Sequence, residues 1–421
     1  MDPLLLIASG SQFYREYSLQ AVSRRYPIVL LNDKPNTWQA PYLLDFIQAP
    51  LTRRDVVLEE AARLQKRYHF TGVLTYDEAF VEEHAAVAQM LQLPANSVQT
   101  ARLCRDKHLM RQRWQTCGVP SARSLLVRSQ SEAQEAAAGI GYPVVLKPRG
   151  LAASVGVIRV DTPENLAAGY QVASIDPHPS YRAAGDGLLV EEYLEGREVS
   201  VESAVLDGQL HIVALTRKQV GFAPGFEELG HIVAMHEPLP EDAAIREVVQ
   251  QAHRALGIQM GVTHAELRLT RQGPRMIELG LRCAGDLIPS VVELATGIDL
   301  YAVAAHIAAD EQPALQPSRH RAAAIHFLYP PYDALVLSLS VQPVASALPW
   351  LERVAFSAHP GSQYRLPPRG FLARMGYIVV SAASVNECQE RIDQAQGLVK
   401  ISLEPLPLAE ASAGPQVAPR A

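Results

Sequence analysis

Strand-forming and helix-forming stretches alternate along residues 3–91, and that alternation limits the fold more than any other feature of the chain. PLLLIA (3–8) is a short apolar run that stops at Ser9-Gly10-Ser11. A helical stretch near 12–25 follows, then a second strand, YPIVLLND (26–33). A helix over about 53–67, the strand TGVLTY (71–76) and a helix over 78–91 complete the series. Parallel strands need crossover helices rather than tight turns, so this order predicts a parallel sheet with helices on both faces. Ligands settle at the carboxyl ends of such strands, where Asp33, Tyr76, Asp77 and Glu78 fall. Each of these also fits a capping or solvated role.

Residues 95–140 read as helical, with a break at CGVPSA (117–122). YPVVLKPRG (142–150) is a β-branched strand running into a loop, GVIRV (156–160) a second strand, and ENLAAGYQVAS (164–174) a helix. The Pro- and Gly-bearing segment 175–187 is a surface connection. Residues 187–216 read as three antiparallel strands, followed by a glycine-bearing loop (219–230) and a helix (240–256). HAELRLT (264–270) and PRMIELG (274–280) form a hairpin through RQG. A further α+β segment spans 315–404, with strands at 321–329 and 375–382. The Pro/Ala-rich end, 405–421, is expected to be disordered.

A chain of 421 residues exceeds one hydrophobic core, so several domains are expected. A net charge of −6 gives no footprint for nucleic acid or an anionic membrane. Cys104, Cys117, Cys283 and Cys388 form no CxxC pair or Cys/His cluster. They signal neither zinc nor a disulfide framework and fit the reduced thiols of a cytoplasmic protein. The apolar N-terminus lacks a basic flank and is too short to span a bilayer, and no other stretch is long and apolar enough.

Three constellations carry chemistry. Glu266 and Glu278 lie on adjacent strands of the hairpin, and two facing carboxylates with hard oxygen atoms suit Mg²⁺ shared with a phosphate-bearing substrate. Arg282, four residues on, is placed to meet a phosphate oxygen. The same spacing fits an exposed hairpin with scattered charges. Lys147 ends the apolar strand YPVVL, and the small-residue stretch GLAASVG (150–156) behind it can bring backbone N–H groups to phosphate oxygens. It is not the GxxxxGK[ST] pattern. In LLVEEYLEGREVSVES (188–203), Glu191-Glu192, the turn Glu195-Gly196 and Glu198 can present backbone to a base and a carboxylate to ribose hydroxyls. An acidic hairpin at a sheet edge is the plainer alternative.

VVLKP, the small-residue loop, VEEYLEGREVSVE and HAELRLT…MIELGLR occur in one order, and in that order the chain resembles the ATP-grasp superfamily over roughly residues 95–300. The resemblance implies an α/β (α+β) architecture: an N-terminal parallel-sheet domain (1–95), an ATP-grasp small lobe (96–186), a large lobe with a C-terminal α+β extension (187–404), and the tail 405–421. It implies ATP as nucleotide, with Lys107 and Lys147 on its phosphates and Ser154 in the covering loop. Glu191 and the backbone of Glu192, Tyr193 and Leu194 would hold adenine, and Glu198 the ribose. Glu266 and Glu278 would bind Mg²⁺ (or Mn²⁺ in its place), and Arg282 and Lys147 would be the catalytic cations. Many members carry Asn two residues after the second glutamate as a further metal ligand. This chain has Gly280, which leaves the number of ions open and the position to a water.

GFEELGHIV (225–233) with IELGLRCAGD (277–286) is similar to the L-amino-acid ligases. That similarity implies that Glu228 and His231, in the loop, face the carboxylate-donating substrate and that Asp286 limits the acceptor pocket. Asp286 equally fits a cap for a helix starting near Ile288-Pro289. The implied activity joins an amino acid or related carboxylate to an amine through an acyl phosphate. Small-molecule carboxylates and amines are the expected partners, with a homodimer as an open quaternary arrangement. A biotin-carboxylase-like or purine-pathway enzyme is the alternative within the superfamily, and a nucleotide-binding regulator without catalysis the alternative outside it. SGSQFY offers no GxGxxG for a dinucleotide oxidoreductase.

Overall fold

The computed structural model describes residues 2–175, 185–235, 237–407 and 416–417. The expected disordered tail lies largely outside these residues, as does most of the 175–187 connection. The N-terminal domain is the expected parallel sheet. Strands β1 (Leu4–Ile7), β2 (Ile28–Asn32), β3 (Asp45–Gln48) and β4 (Gly72–Leu74) lie in the order β3-β2-β1-β4, with helices α1 (Gln12–Ser23), α2 (Arg54–Tyr68) and α3 (Val81–Leu91). Alternation along β1 explains its covering on both sides. Leu5 and Ile7 pack with Val57, Ala61 and Leu64 of α2, whereas Leu4 and Leu6 face the large lobe.

Helices α4 (Val98–Arg105) and α5 (Lys107–Thr116) come next, and Cys104, Met110 and Trp114 pack in one cluster with residues of the large lobe such as Val249 and Leu267. The sequence reads 95–140 as helical, but Ser124–Val127 is a strand, β5, before α6 (Gln130–Ile140). β6 (Val144–Pro148), β7 (Ile158–Val160), α7 (Leu166–Ala173) and β8 (Leu188–Glu192) follow. β8 pairs with both β5 and β6, so the small lobe's sheet, β5-β8-β6-β7, extends to Glu192.

The large lobe carries β9 (Arg197–Leu206), β10 (Gln209–Gly221), β11 (Glu227–Ala234), α8 (Asp242–Leu256), β12 (Gly261–Thr270), β13 (Gly273–Gly280), α9 (Ile288–Thr296) and α10 (Leu300–Ala308). The C-terminal segment adds β14 (Ala322–Leu328), β15 (Ala334–Val341), β16 (Leu351–Phe356), β17 (Gln363–Tyr364), β18 (Gly370–Phe371), β19 (Gly376–Ala382), α11 (Val385–Leu398), β20 (Val399–Pro405) and β21 (Gln416–Val417). Segment and lobe share one sheet, β13-β12-β9-β10-β11-β14-β19-β16. A β17-β15-β20 sheet and the β18-β21 pair lie beside it. Leu300, Tyr301 and Ala305 of α10 pack in the same cluster as Leu4 and Leu6 of β1. No single described helix is long and apolar enough to cross a membrane.

The expected loop 219–230 is mostly strand. β10 runs to Gly221 and β11 starts at Glu227, so Glu228 and His231 stand on a central strand. Pairing with β10, and with β14 from Gly230 on, satisfies the backbone that the glycines and acidic residues mark as loop. Gly230 is needed there, because a Cβ would lie 2.5 Å from the carbonyl oxygen of Ile325 on β14.

Candidate active site

Alternation along β12 puts His264, Glu266 and Arg268 on one face. Register with β9 sets them opposite Glu202, Ser200 and Glu198. The outer pairs close, with His264 Nδ1 3.0 Å from Glu202 and Arg268 2.8 Å from Glu198. On the other side of β12, Glu266 stands opposite Glu278, with a bulge just after Glu266. Two carboxylates so placed repel unless cations intervene, and the chain supplies three. Lys218 of β10 and His264 Nε2 both meet Oε1 of Glu266, His264 at 3.1 Å, and Lys107 donates to Oε1 of Glu278 at 2.9 Å.

Burial by itself raises a carboxyl pKa, yet Lys218 and His264 hold Glu266 well below the usual carboxylate range. Lys107 lowers Glu278 against the same burial and the charge of Glu266. Burial alone would lower His264, but Glu202 and Glu266 raise it to about 10. Both hairpin carboxylates are therefore ionised, each with its second oxygen lacking a protein partner among the described residues. That donor set, hard and anionic, fits a divalent cation. Lys218, 1% exposed, also lies 3.0 Å from Glu198 and 2.7 Å from Glu228.

Across the cleft, Lys147 of β6 lies 2.6 Å from Glu191 of β8, and Arg111 of α5 lies 2.9 Å from the same carboxylate. Burial outweighs Glu191 and brings Lys147 down to about pKa 8. Glu191 is pushed up by burial but pulled below its usual value by Arg111 and Lys147. Glu192 pairs with Arg275 at 3.2 Å, the Arg159 guanidinium lies 4.3 Å over the Tyr193 ring, and Leu194 is buried. In the loop 150–156, Ala153 and Ser154 are both left-handed (φ 58° and 55°), and consecutive N–H groups in such a turn can cup an anion. The loop is held by Lys107, which donates to the Leu151 carbonyl at 2.7 Å, and by packing of Leu151 and Val155 on Phe371.

The far end of the cleft is charged. Arg282 Nε lies 2.8 Å from Glu78 of the N-terminal domain. Asp286 and Leu287 are consecutive left-handed residues (φ 55° and 54°) in the turn after β13. Helix α9 has Leu287 at its N-cap and no side-chain cap, so the capping alternative for Asp286 falls. Its carboxylate instead meets Arg374 at 2.6 and 3.0 Å. Arg374 Nε donates to the Tyr329 hydroxyl at 3.0 Å, and its guanidinium lies 3.9 Å from the Phe327 ring centre.

One cavity of about 620 Å³ is lined by every residue the resemblance implied for the site except His231, and by Asp77 and Glu78 but not Asp33 or Tyr76 of the strand-end candidates. His231 is fully buried, 3.1 Å from Glu228 and 3.7 Å from Asp286. The expectation that it faces a substrate is therefore corrected: it lies behind two carboxylates that line the cavity. Sequence reasoning missed Lys218, His264 and Arg374. His264 had a signal, since it precedes Glu266 by two on a strand. Lys218 and Arg374 had none, because their partners come from distant segments.

The cleft sets paired glutamates on neighbouring strands of the large sheet near Lys147 of β6 and Lys107 of α5, the arrangement expected of an ATP-grasp site. Residues 140–290 match the ATP-grasp domain family, and residues 326–404 match L-amino acid ligase C-terminal domain 2. By these matches the chain carries an ATP-grasp domain and an L-amino acid ligase C-terminal domain, and its relatives include ATP-dependent ligases that form carbon–nitrogen bonds. The ATP-grasp family uses ATP with divalent metal ions. The L-amino acid ligase from Bacillus licheniformis shares the fold at a TM-score of 0.80 and 22% identity, over 95% of this chain and 98% of that one. An uncharacterized protein of Sinorhizobium fredii is 28% identical over 421 residues, 96% of this chain and 83% of that protein. Alanine–anticapsin ligase from Bacillus subtilis is 28% identical over 265 residues, 58% of this chain and 55% of that enzyme. The chain thus matches about half the length of that ligase.

Proposed function

We propose that the protein joins an amino acid, or a related carboxylate, to an amine or second amino acid, forming an acyl phosphate and releasing ADP and phosphate. One observation carries it: a single cavity connects the Glu266–Glu278 pair and Arg282 to an end walled by Glu228, Asp286 and Arg374. Charges of both signs at that end suit a zwitterion.

In this reading Lys107 and Lys147 meet the ATP phosphates under the loop 150–156, with Ser154 among the contacts. Glu191 and the backbone of Glu192, Tyr193 and Leu194 take the adenine, and Glu198 the ribose. Glu266 and Glu278 would hold magnesium, or manganese in its place, which would supply positive charge against the triphosphate. As the donor carboxylate attacks the γ-phosphate, the lysines and Arg282 neutralise the transferring group, so the protein's work is mainly positioning and charge. Glu228 and Asp286 offer oxygens to ammonium groups, while Lys218, His231 and Arg374 hold those oxygens in place. The loop 150–156 shields the acyl phosphate from water until the amine attacks.

A matrix of amino-acid and carboxylate pairs, scored by ADP release and mass spectrometry of products, tests the proposal. Amine-dependent ADP release with a condensed product is expected. Bicarbonate-dependent release without any amine requirement would replace it with the carboxylase alternative.

A further inference from the structure

We infer that Glu78 is a positioning residue for Arg282, admitted to the reaction centre because residue 280 is glycine. The inference rests on the ligase reading above and adds a residue to it. Gly280 ends β13, two residues after Glu278. It is not among the glycines with positive φ, so its backbone does not demand glycine. Its surroundings do. A Cβ at 280 would lie 3.3 Å from Glu78 Oε2, 3.3 Å from Arg282 Cζ and 3.5 Å from Arg282 Nη1. Those contacts leave little room for a methyl group and none for a longer side chain pointing the same way. The space beside the hairpin, which the sequence left to a water, is filled by a carboxylate and a guanidinium.

Glu78 reaches this place from another domain. The preceding residue, Asp77, accepts from Ala79 N at 3.0 Å and caps the short 3-10 turn Glu78–Phe80 that follows β4. Glu78 then lines the cleft, its side chain 9% exposed. Its Oε2 makes no well-directed hydrogen bond and is held by charge, 2.8 Å from Arg282 Nε. A buried carboxylate needs such a partner. The arginine gains as much: Nε is fixed by Glu78 and Nη1 donates to the Cys283 carbonyl at 3.1 Å. Nη2 has no protein acceptor among the described residues and is left for a phosphoryl oxygen. The aim of the catalytic guanidinium is thus set by the docked N-terminal domain, and a side chain at 280 and a carboxylate at 78 compete for one space.

The test is a double-substitution cycle on the full chain: wild type, Glu78→Ala, Gly280→Asn and the double variant. Misaiming a positioned group costs about 10²-fold in rate. Glu78→Ala is expected to lower kcat by about that factor with KM for ATP little changed, because the arginine acts on the transferring group. Gly280→Asn is expected to lower both kcat and Tm in the wild-type background. In the Glu78→Ala background it should cost less in both, since one of the two groups it crowds is then gone and Arg282 is no longer held against it. Glu78→Gln, which keeps the shape and loses the charge, should lower kcat in the same direction and serves if the alanine variant does not fold. Equal losses of Tm from Gly280→Asn in both backgrounds, or unchanged kcat in both Glu78 variants, would overturn the inference. A wild-type protein with no amine-dependent ADP release would count against the ligase reading instead, and the Tm cycle would still decide whether the two side chains share one space.

Discussion

Arg374 holds Asp286 with both terminal nitrogens, at 2.6 and 3.0 Å, and so fastens the loop before β19 to the turn after β13. Arg374 is buried, and removing one partner of a buried pair leaves the other charge uncompensated. Asp286→Ala is therefore expected to destabilise the protein by about 3 kcal/mol, measured by urea unfolding. The same change in an Arg374→Met background should cost much less. Equal costs in the two backgrounds would show that the pair is not the source. Asp286→Asn, which keeps the shape, should shift the ranking of acceptors toward apolar side chains.

Lys147 offers a pH test. Burial sets its pKa near 8 despite Glu191 at 2.6 Å. The ammonium form that can meet a phosphate is lost from the free enzyme above that pH, so kcat/KM for ATP should fall above about pH 8. Lys147→Arg keeps its charge and should remove this alkaline limb. A wild-type profile that stays flat into the alkaline range would exclude Lys147 from phosphate binding. The stability effect has a definite sign. The folded pKa lies below the unfolded value of 10.5, so between about pH 8 and 10.5 the unfolded chain binds more protons. The contribution of Lys147 to stability rises with pH across that window, and below it the buried charge is a constant cost.

Legibility of the fold followed sequence distance and periodicity. β1 could be read because Leu4–Ile7 is a continuous apolar run, which a strand covered on both faces requires. The β12–β13 hairpin could be read because both strands and their turn are contiguous. β5 could not: it has four residues, and its partner β8 begins at Leu188. β11 was hidden by Gly225, Gly230 and its acidic residues, whose strand state depends on β10 and β14 rather than on local preference. In the site, carboxylates on recognisable strands were legible, as were Lys107 and Lys147, while the cations Lys218 and Arg374 were not. Lys218 meets Glu266 across 48 residues and Arg374 meets Asp286 across 88. Nothing local marks either residue.

Glu198 has two jobs that substitutions can separate. It faces the cavity, where the ribose is proposed to lie, and it also joins Lys218 at 3.0 Å to Arg268 at 2.8 Å. Glu198→Gln keeps the shape but leaves one acceptor oxygen for the two cations, and should raise KM for ATP more than it lowers kcat, the mark of binding shared by ground and transition states. Glu198→Ala should raise KM as well and also lower Tm, because two buried cations lose an anion. An unchanged KM for ATP in both variants would remove Glu198 from the nucleotide site.

The metal assignment can be graded rather than merely abolished. His264 touches Glu266 at 3.1 Å and orients it, whereas Glu278 would be a ligand. Losing an outer partner of a metal ligand costs about 10–100-fold in metal affinity. His264→Gln should therefore weaken Mn²⁺ binding by that amount, read by electron paramagnetic resonance titration in the presence of nucleotide. Glu278→Gln removes a ligand charge and should weaken binding further and abolish ligation. Its fold should survive, because Lys107 keeps the Leu151 carbonyl at 2.7 Å. Chelation of the wild type should mimic the Glu278→Gln loss and reverse on adding magnesium. Near-normal turnover of a folded Glu278→Gln protein at saturating magnesium would falsify the assignment. Weaker Mn²⁺ binding in His264→Gln than in Glu278→Gln would place the ion on the Glu266 side of the hairpin alone.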